Sequence, residues 1–141
     1  MSNAEKGFYI RQPGGEMKYL NYLFNFDEFK PESSLIYTFR LIPGSGGNFI
    51  CDNSGLMCAN YDSTREKLTN LNLVNKNTLT DEDSALWLVH ENSDGTVTIR
   101  NKKYQDVVWT SFKGNLPFSR AVVEPLKSGD TNQTFRFETA N

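Results

Sequence analysis

Apolar and polar positions alternate along most of this chain, in short runs with a period of two. In the closing stretch Phe135 and Phe137 alternate with Thr134, Arg136 and Glu138. Such spacing puts aromatic rings on one face and polar groups on the other, as in a half-buried strand. Comparable runs are GFYIRQ, MKYLNYLF, LIYTFRLI, NFIC, LMCANY, LNLV, ALWLVHE, TVTIRN, VVWTSF and AVVEPL. Between them stand QPGGE, FKPESS, PGSGG, DNSG, NSDG, FKGNLP and KSGDTN, which carry the Gly, Pro, Asn, Asp and Ser residues that turns require. Helical periodicity is almost absent. The pattern predicts an all-β chain of roughly a dozen short strands.

The strands repeat. Phe39, Trp87 and Phe135 each sit in such a run and are spaced 48 residues apart, as are Gly47 and Gly95, which precede the next strand. Apolar pairs follow in each copy: Tyr19-Leu20, Met57-Cys58 and Val107-Val108. The chain therefore reads as three copies of a four-strand unit, roughly 6–46, 47–94 and 95–141, within one domain over 5–141. Three such units make a β-trefoil, a six-stranded barrel capped by three hairpins with pseudo-three-fold symmetry. Phe39, Trp87 and Phe135 are expected to form a layer in the barrel, and the last strand to close against the first.

Composition narrows the function. At 141 residues, 38% hydrophobic and 23% charged, the chain is long and apolar enough for one core. A net charge of −2 without a Lys/Arg run offers no field for nucleic acid. No apolar stretch is long enough to span a membrane. Ser2-Asn3-Ala4 resembles a tag remnant, so residues 1–4 are left out of the fold reading. A native start implies a cytoplasmic protein; a removed leader implies secretion. Cys51 and Cys58 flank DNSGLM, and a turn at Ser54-Gly55 sets them opposite each other across a hairpin. Two reduced, half-buried thiols are the expectation, with a cross-strand disulfide the alternative.

The sequence Asn132-Gln133-Thr134-Phe135 resembles the Gln-x-Trp mark that closes each repeat of ricin-type (R-type) lectin trefoils. Ser84-Ala85-Leu86-Trp87 keeps the tryptophan, and Ile36-Tyr37-Thr38-Phe39 keeps only an aromatic. The resemblance implies a sugar held by an aromatic ring, an Asp, an Asn and a Gln, with Asn132 and Gln133 at the amide positions. Glu124 occupies the stacking position and no Asp stands at the matching place near Val108, so Trp109 is expected to supply the ring and Asp130 the carboxylate. A structural role for the Asn132 and Gln133 amides is the competing reading. The Asn132 triplet is also a glycosylation sequon, meaningful only with a secretory route. Gly7-Phe8-Tyr9-Ile10 is similar to the first strand of fungal trefoil lectins and protease inhibitors, and Asp94–Asp106 to fascin-like trefoils.

Catalytic chemistry is missing from the pattern. His90 is the only histidine, no Gly-x-Ser-x-Gly elbow occurs, and neither cysteine sits in a nucleophile motif. Thr80–Ser84 lacks the alternating ligands of a calcium loop, and one His with two Cys gives no zinc spacing. No enzyme activity, cofactor or metal is expected. Aromatics in polar loops (Tyr22, Phe24, Phe26, Phe29, Tyr61, Tyr104, Trp109, Phe112 and Phe118) suit sugar stacking or a protein contact, or else plug the barrel and its cap. The expected partner is a glycan or glycoprotein, contacted by Trp109, Asp130, Asn132 and Gln133. The next candidates are Asn60–Asp62 and the aromatic run 21–34. The alternative is a protease inhibitor or other protein-binding trefoil acting through a protruding loop such as 21–34.

Overall fold

The structure, a computed structural model, describes residues 7–14, 16–28 and 35–140. Twelve strands run through them: β1 (Phe8–Arg11), β2 (Tyr19–Leu20), β3 (Phe26–Asp27), β4 (Phe39–Gly44), β5 (Gly47–Asp52), β6 (Met57–Tyr61), β7 (Leu71–Asn75), β8 (Trp87–Glu91), β9 (Val97–Asn101), β10 (Val107–Phe112), β11 (Arg120–Pro125) and β12 (Arg136–Thr139). The only helices among these residues are 3-10 turns, the longest being Glu82–Ala85.

Four strands fall in each 48-residue period. The barrel comes from antiparallel pairs that cross repeat boundaries: β4 with β5, β8 with β9, and β12 with β1. Each repeat is also closed on itself at its aromatic residue. Phe39 lies opposite Phe8, Trp87 opposite Asn48, and Phe135 opposite Val97. The remaining hairpins, β2–β3, β6–β7 and β10–β11, form the cap. This is the β-trefoil architecture, with three four-strand repeats.

Phe39, Trp87 and Phe135 are wholly buried, in one core with Ile10, Leu20, Ile50, Leu71 and Ile99. The indole N–H of Trp87 donates to the Ala59 carbonyl at 3.0 Å, so its one polar atom is satisfied inside the core. Phe24 and Phe26 are buried too, Phe24 edge-on to Trp109 with centroids 5.7 Å apart. Phe24 adopts a left-handed backbone, φ 61°. The Asn21 side chain holds that turn by accepting from the amides of Leu23 and Asn25.

Two expectations change here. The Asn21–Glu28 part of the 21–34 run is tied down rather than a free loop, although Leu23 at its tip is exposed. Phe26 N–H donates to the Ser119 carbonyl and Ala121 N–H to that of Phe24, which stitches the segment to β11. Residues 29–34, including Phe29, lie outside the described residues. The cysteines are not reduced and half-buried but joined and fully buried: Cys51 and Cys58 form a disulfide across β5 and β6, packed on Phe49, Ala85 and Leu86. The expected register holds, since Cys51 lies opposite Cys58. The turn, however, closes between the Asp52 carbonyl and the Gly55 amide, with Gly55 at φ 79°. Direct opposition in the register brings the two sulfurs together, and alternation sets them on the face away from Ile50 and Ala59, where Ala85 and Leu86 cover them.

Trp87→Ala should lower stability by about 3–5 kcal/mol in denaturant unfolding, through a large cavity and an orphaned Ala59 carbonyl. The bond between Cys51 and Cys58 closes a short loop, so reducing it should cost about 2–3 kcal/mol on the chain-entropy account. A thiol titration and a denaturant melt, each with and without reductant, check this.

Candidate functional site

The third repeat does not assemble the expected site. Trp109 is completely buried, edge-on to Trp87 at 5.6 Å and to Phe135 at 6.4 Å. It lies two residues after Val107 and so shares that residue's inward face, rather than turning to solvent. Strand β10 is covered on both sides, by the core below Val107 and Trp109 and by the 125–133 segment above Val108 and Thr110.

Gln133 fastens that segment and is itself buried. Its carbonyl oxygen accepts from the Lys127 amide at 2.8 Å, and its amide nitrogen donates to the Pro125 carbonyl at 2.9 Å and the Thr110 hydroxyl at 3.1 Å. Both of its N–H donors are committed to the protein and the side chain is buried away from solvent. Asp130 caps the short turn Thr131–Gln133 by accepting from the Asn132 amide, and the Asn132 side chain stands in solvent. The stacking position is filled as well: Glu124 pairs with Lys67 at 2.8 Å, and the Lys67 ammonium lies 4.3 Å from the Phe112 ring. Of the four predicted contacts, Trp109 and Gln133 are structural, and Asp130 and Asn132 remain at the surface without a ring.

The second repeat presents the better constellation. Asn60 occupies the place that Val108 takes in the third repeat, 48 residues on. A cleft of about 180 Å³ is lined by Asn60, Tyr61, Asp62, Asp81, Ser84, Lys103 and Tyr104, with Ser63 at its edge. Tyr104 is 37% exposed and stands edge-on to Tyr61, with centroids 5.6 Å apart. The Ser84 hydroxyl donates to Asn60 Oδ1 at 2.7 Å and orients that amide. Ser84 takes the position that Asn132 holds in the third repeat.

Electrostatics keep the cleft charged. Lys103 bonds to Asp81 and lies 5.4 Å from the Tyr104 ring. The hydrogen bond from Lys103 holds the Asp81 carboxyl below the usual carboxylate range. The hydroxyl and amide of Thr64 do the same for Asp62, reinforced by Arg65. Burial, with smaller contributions from Tyr104, Asp106 and Asp62, pushes the Tyr61 phenol up. At neutral pH the cleft thus offers two carboxylates, an amide, an ammonium and the neutral Tyr61 phenol around the partly exposed Tyr104 ring. No group of His, Cys, Asp and Glu among the described residues is arranged to hold a metal ion.

Sequence reasoning named Tyr104 only as one of several loop aromatics and passed over Lys103 and Asp81, because the three come from two segments that the fold brings together. Asn101 brings them together. Its buried side chain donates to the Ser84 carbonyl and accepts from the Lys103 and Tyr104 amides, tying the loop after β9 to the turn before β8.

No protein-family model matches the chain, and no curated protein matches it in sequence. Solved structures do. The designed three-fold symmetric protein ThreeFoil superposes with a TM-score of 0.72 at 14% identity, over 94% of this chain and 98% of its own. The BEL β-trefoil gives 0.68 at 13%, over 94% and 91%. The GlcNAcα1-4Gal-releasing endo-β-galactosidase of Clostridium perfringens gives 0.76 at 10%, over 96% of this chain but 32% of the enzyme.

Both tryptophans are fully buried, so indole emission should report folding and stay unchanged on ligand addition. A fluorescence titration checks this against a calorimetric one. Gln133→Ala should cost about 1–3 kcal/mol in thermal or denaturant melts, because it orphans buried backbone groups. At this level of similarity, what the neighbours establish is the fold, and this chain is a β-trefoil.

Proposed function

We propose that this protein is a non-catalytic, carbohydrate-binding β-trefoil whose principal sugar site is the second-repeat cleft. The observation that carries the reading is the partly exposed ring of Tyr104, buttressed by Tyr61 and ringed by Asn60, Asp62, Asp81 and Lys103. A pyranose presents an apolar C–H face and a rim of hydroxyls. The phenol ring covers the first, while carboxylates accept from hydroxyls and the ammonium and amide donate to them. The cleft is shallow and suits one terminal sugar, so single-site affinity is weak and useful binding comes from several contacts at once.

The company the fold keeps supports the same reading. The endo-β-galactosidase and an exo-β-1,3-galactanase from Clostridium thermocellum each contain a stretch of this fold covering about a third of the enzyme, 32% and 30% of their chains. Binding, rather than turnover, is the role proposed here. The partner is a glycan, free or on a glycoprotein.

A glycan array with wild type and Tyr104→Ala tests the reading. Loss of the stacking ring should weaken binding about tenfold or more while leaving the melting temperature near wild type. An array on which the folded wild type binds nothing overturns the proposal, as does turnover of a glycoside by the purified protein. Since the Asp62 and Asp81 carboxyls are held below their ordinary range, both stay ionised as the pH falls. Affinity for an uncharged glycan should therefore be level from pH 8 to about 4.5, measured by calorimetry, and fall only below that.

A further inference from the structure

The outer face of the β8–β9 hairpin has a composition of its own. Alternation turns Val89, Val97 and Ile99 to the core and leaves Leu88, His90, Thr98 and Arg100 outside. Leu88 lies opposite Arg100 and His90 opposite Thr98, so His90 and Arg100 are diagonal neighbours, about 7 Å apart in such a register. A cleft of about 470 Å³ covers this face, walled by Leu88, Thr98 and Leu126. It runs into the 620 Å³ third-repeat cleft, with which it shares Asn92, Thr98 and Leu126. Neither shares a lining residue with the Tyr104 cleft.

Charge is polarised along this groove. One end carries His90 and Arg100. Among the described residues the half-buried Arg100 guanidinium has no ion pair or hydrogen bond. The other end carries Asp94, Asp130 and Lys127. Asp94 is engaged by the Thr96 amide and hydroxyl and lies in the field of Arg136, and Asp130 is engaged by the Asn132 amide. Neither carboxylate lines the Arg100 end. Between the ends lie apolar and hydroxyl groups: Leu126, 44% exposed, beside Leu88, and Thr98, whose oxygen accepts from the Asn92 amide at 3.1 Å. An uncommitted guanidinium is a planar fork of donors that fits a carboxylate or sulfate in two-point fashion.

We propose that this groove is a second site, for an acidic saccharide. Its carboxylate or sulfate sits at Arg100 beside His90, its ring lies over Leu88 and Leu126, and its hydroxyls face Thr98 and Asn92. The inference rests on the carbohydrate reading but assigns different residues and a different sugar class.

The test is an amide NMR titration of the full chain with methyl glucuronide, glucose 6-sulfate and, as the uncharged control, methyl glucoside. An acidic probe should shift the amides of residues 88–92 and 98–100 and bind about tenfold more tightly than the glucoside. Arg100→Gln should abolish that preference, Arg100→Lys should retain part of it, and Tyr104→Ala should leave it intact. A response to the glucuronide alone identifies a uronate or related carboxylate, and one to the sulfate alone a sulfated sugar; either supports the site. Silence at the hairpin with both acidic probes, or equal shifts in Arg100→Gln, overturns it. That failure is distinct from failure of the proposed function, which is read from neutral-glycan binding and its loss in Tyr104→Ala.

Discussion

The structure depends on the closure of each repeat at one aromatic residue. Phe39, Trp87 and Phe135 each bridge to the first strand of their own repeat while filling the barrel interior. Backbone pairing and side-chain burial are thus satisfied by the same residue, three times. A side chain that buries so much apolar area contributes roughly 2–3 kcal/mol, and here it also fixes the register of the strands around it. The cap can vary because this layer does not. Its three hairpins differ in length and sequence.

That variation gives the repeats different surfaces at equivalent positions. In the third repeat the cap has been spent on structure. Gln133 anchors a segment, Lys67 neutralises Glu124, and Trp109 fills the interior against Trp87 and Phe135. In the second repeat the corresponding backbone ties pass through Asn101, which leaves Asn60, Lys103 and Tyr104 at the rim. A buried amide that holds two segments together cannot also serve a ligand. The proposed site thus falls in the repeat whose loops are held by a residue other than the Gln-position amide.

The fold was legible in the sequence because the trefoil is written as a period. Strand alternation and a 48-residue spacing are local patterns, and both survive even when the Gln-x-Trp mark is worn down to a bare aromatic at Phe39. The site was not legible in the same way. Trp109 looked exposed when set against Val107-Val108 as a pair. Taken with a period of two it shares the inward face of Val107. Tyr104 and Asp81 sit more than twenty residues apart in segments that Asn101 and two Lys–Asp pairs tie together, and no spacing rule in one sequence encodes that. The cysteine register was readable from the hairpin, whereas the sequence left open whether the two opposed sulfurs are bonded.

The pairing of β1 with β12 has a consequence for how the protein is made. Phe8 lies opposite Thr139, and Arg11 and Tyr19 both reach Glu138. The barrel's last seam therefore joins the two extremes of the sequence, the costliest loop the chain has to close. Until the final strand emerges from the ribosome, β1 is an open edge with Phe8 and Ile10 uncovered, a surface on which another chain can add a strand. Vectorial synthesis thus leaves the β12 side of β1 unpaired until the last repeat is made. Because the seam also brings the two ends of the described chain side by side, a circularly permuted version that starts at another exposed turn would keep every barrel pairing and change only which edge waits.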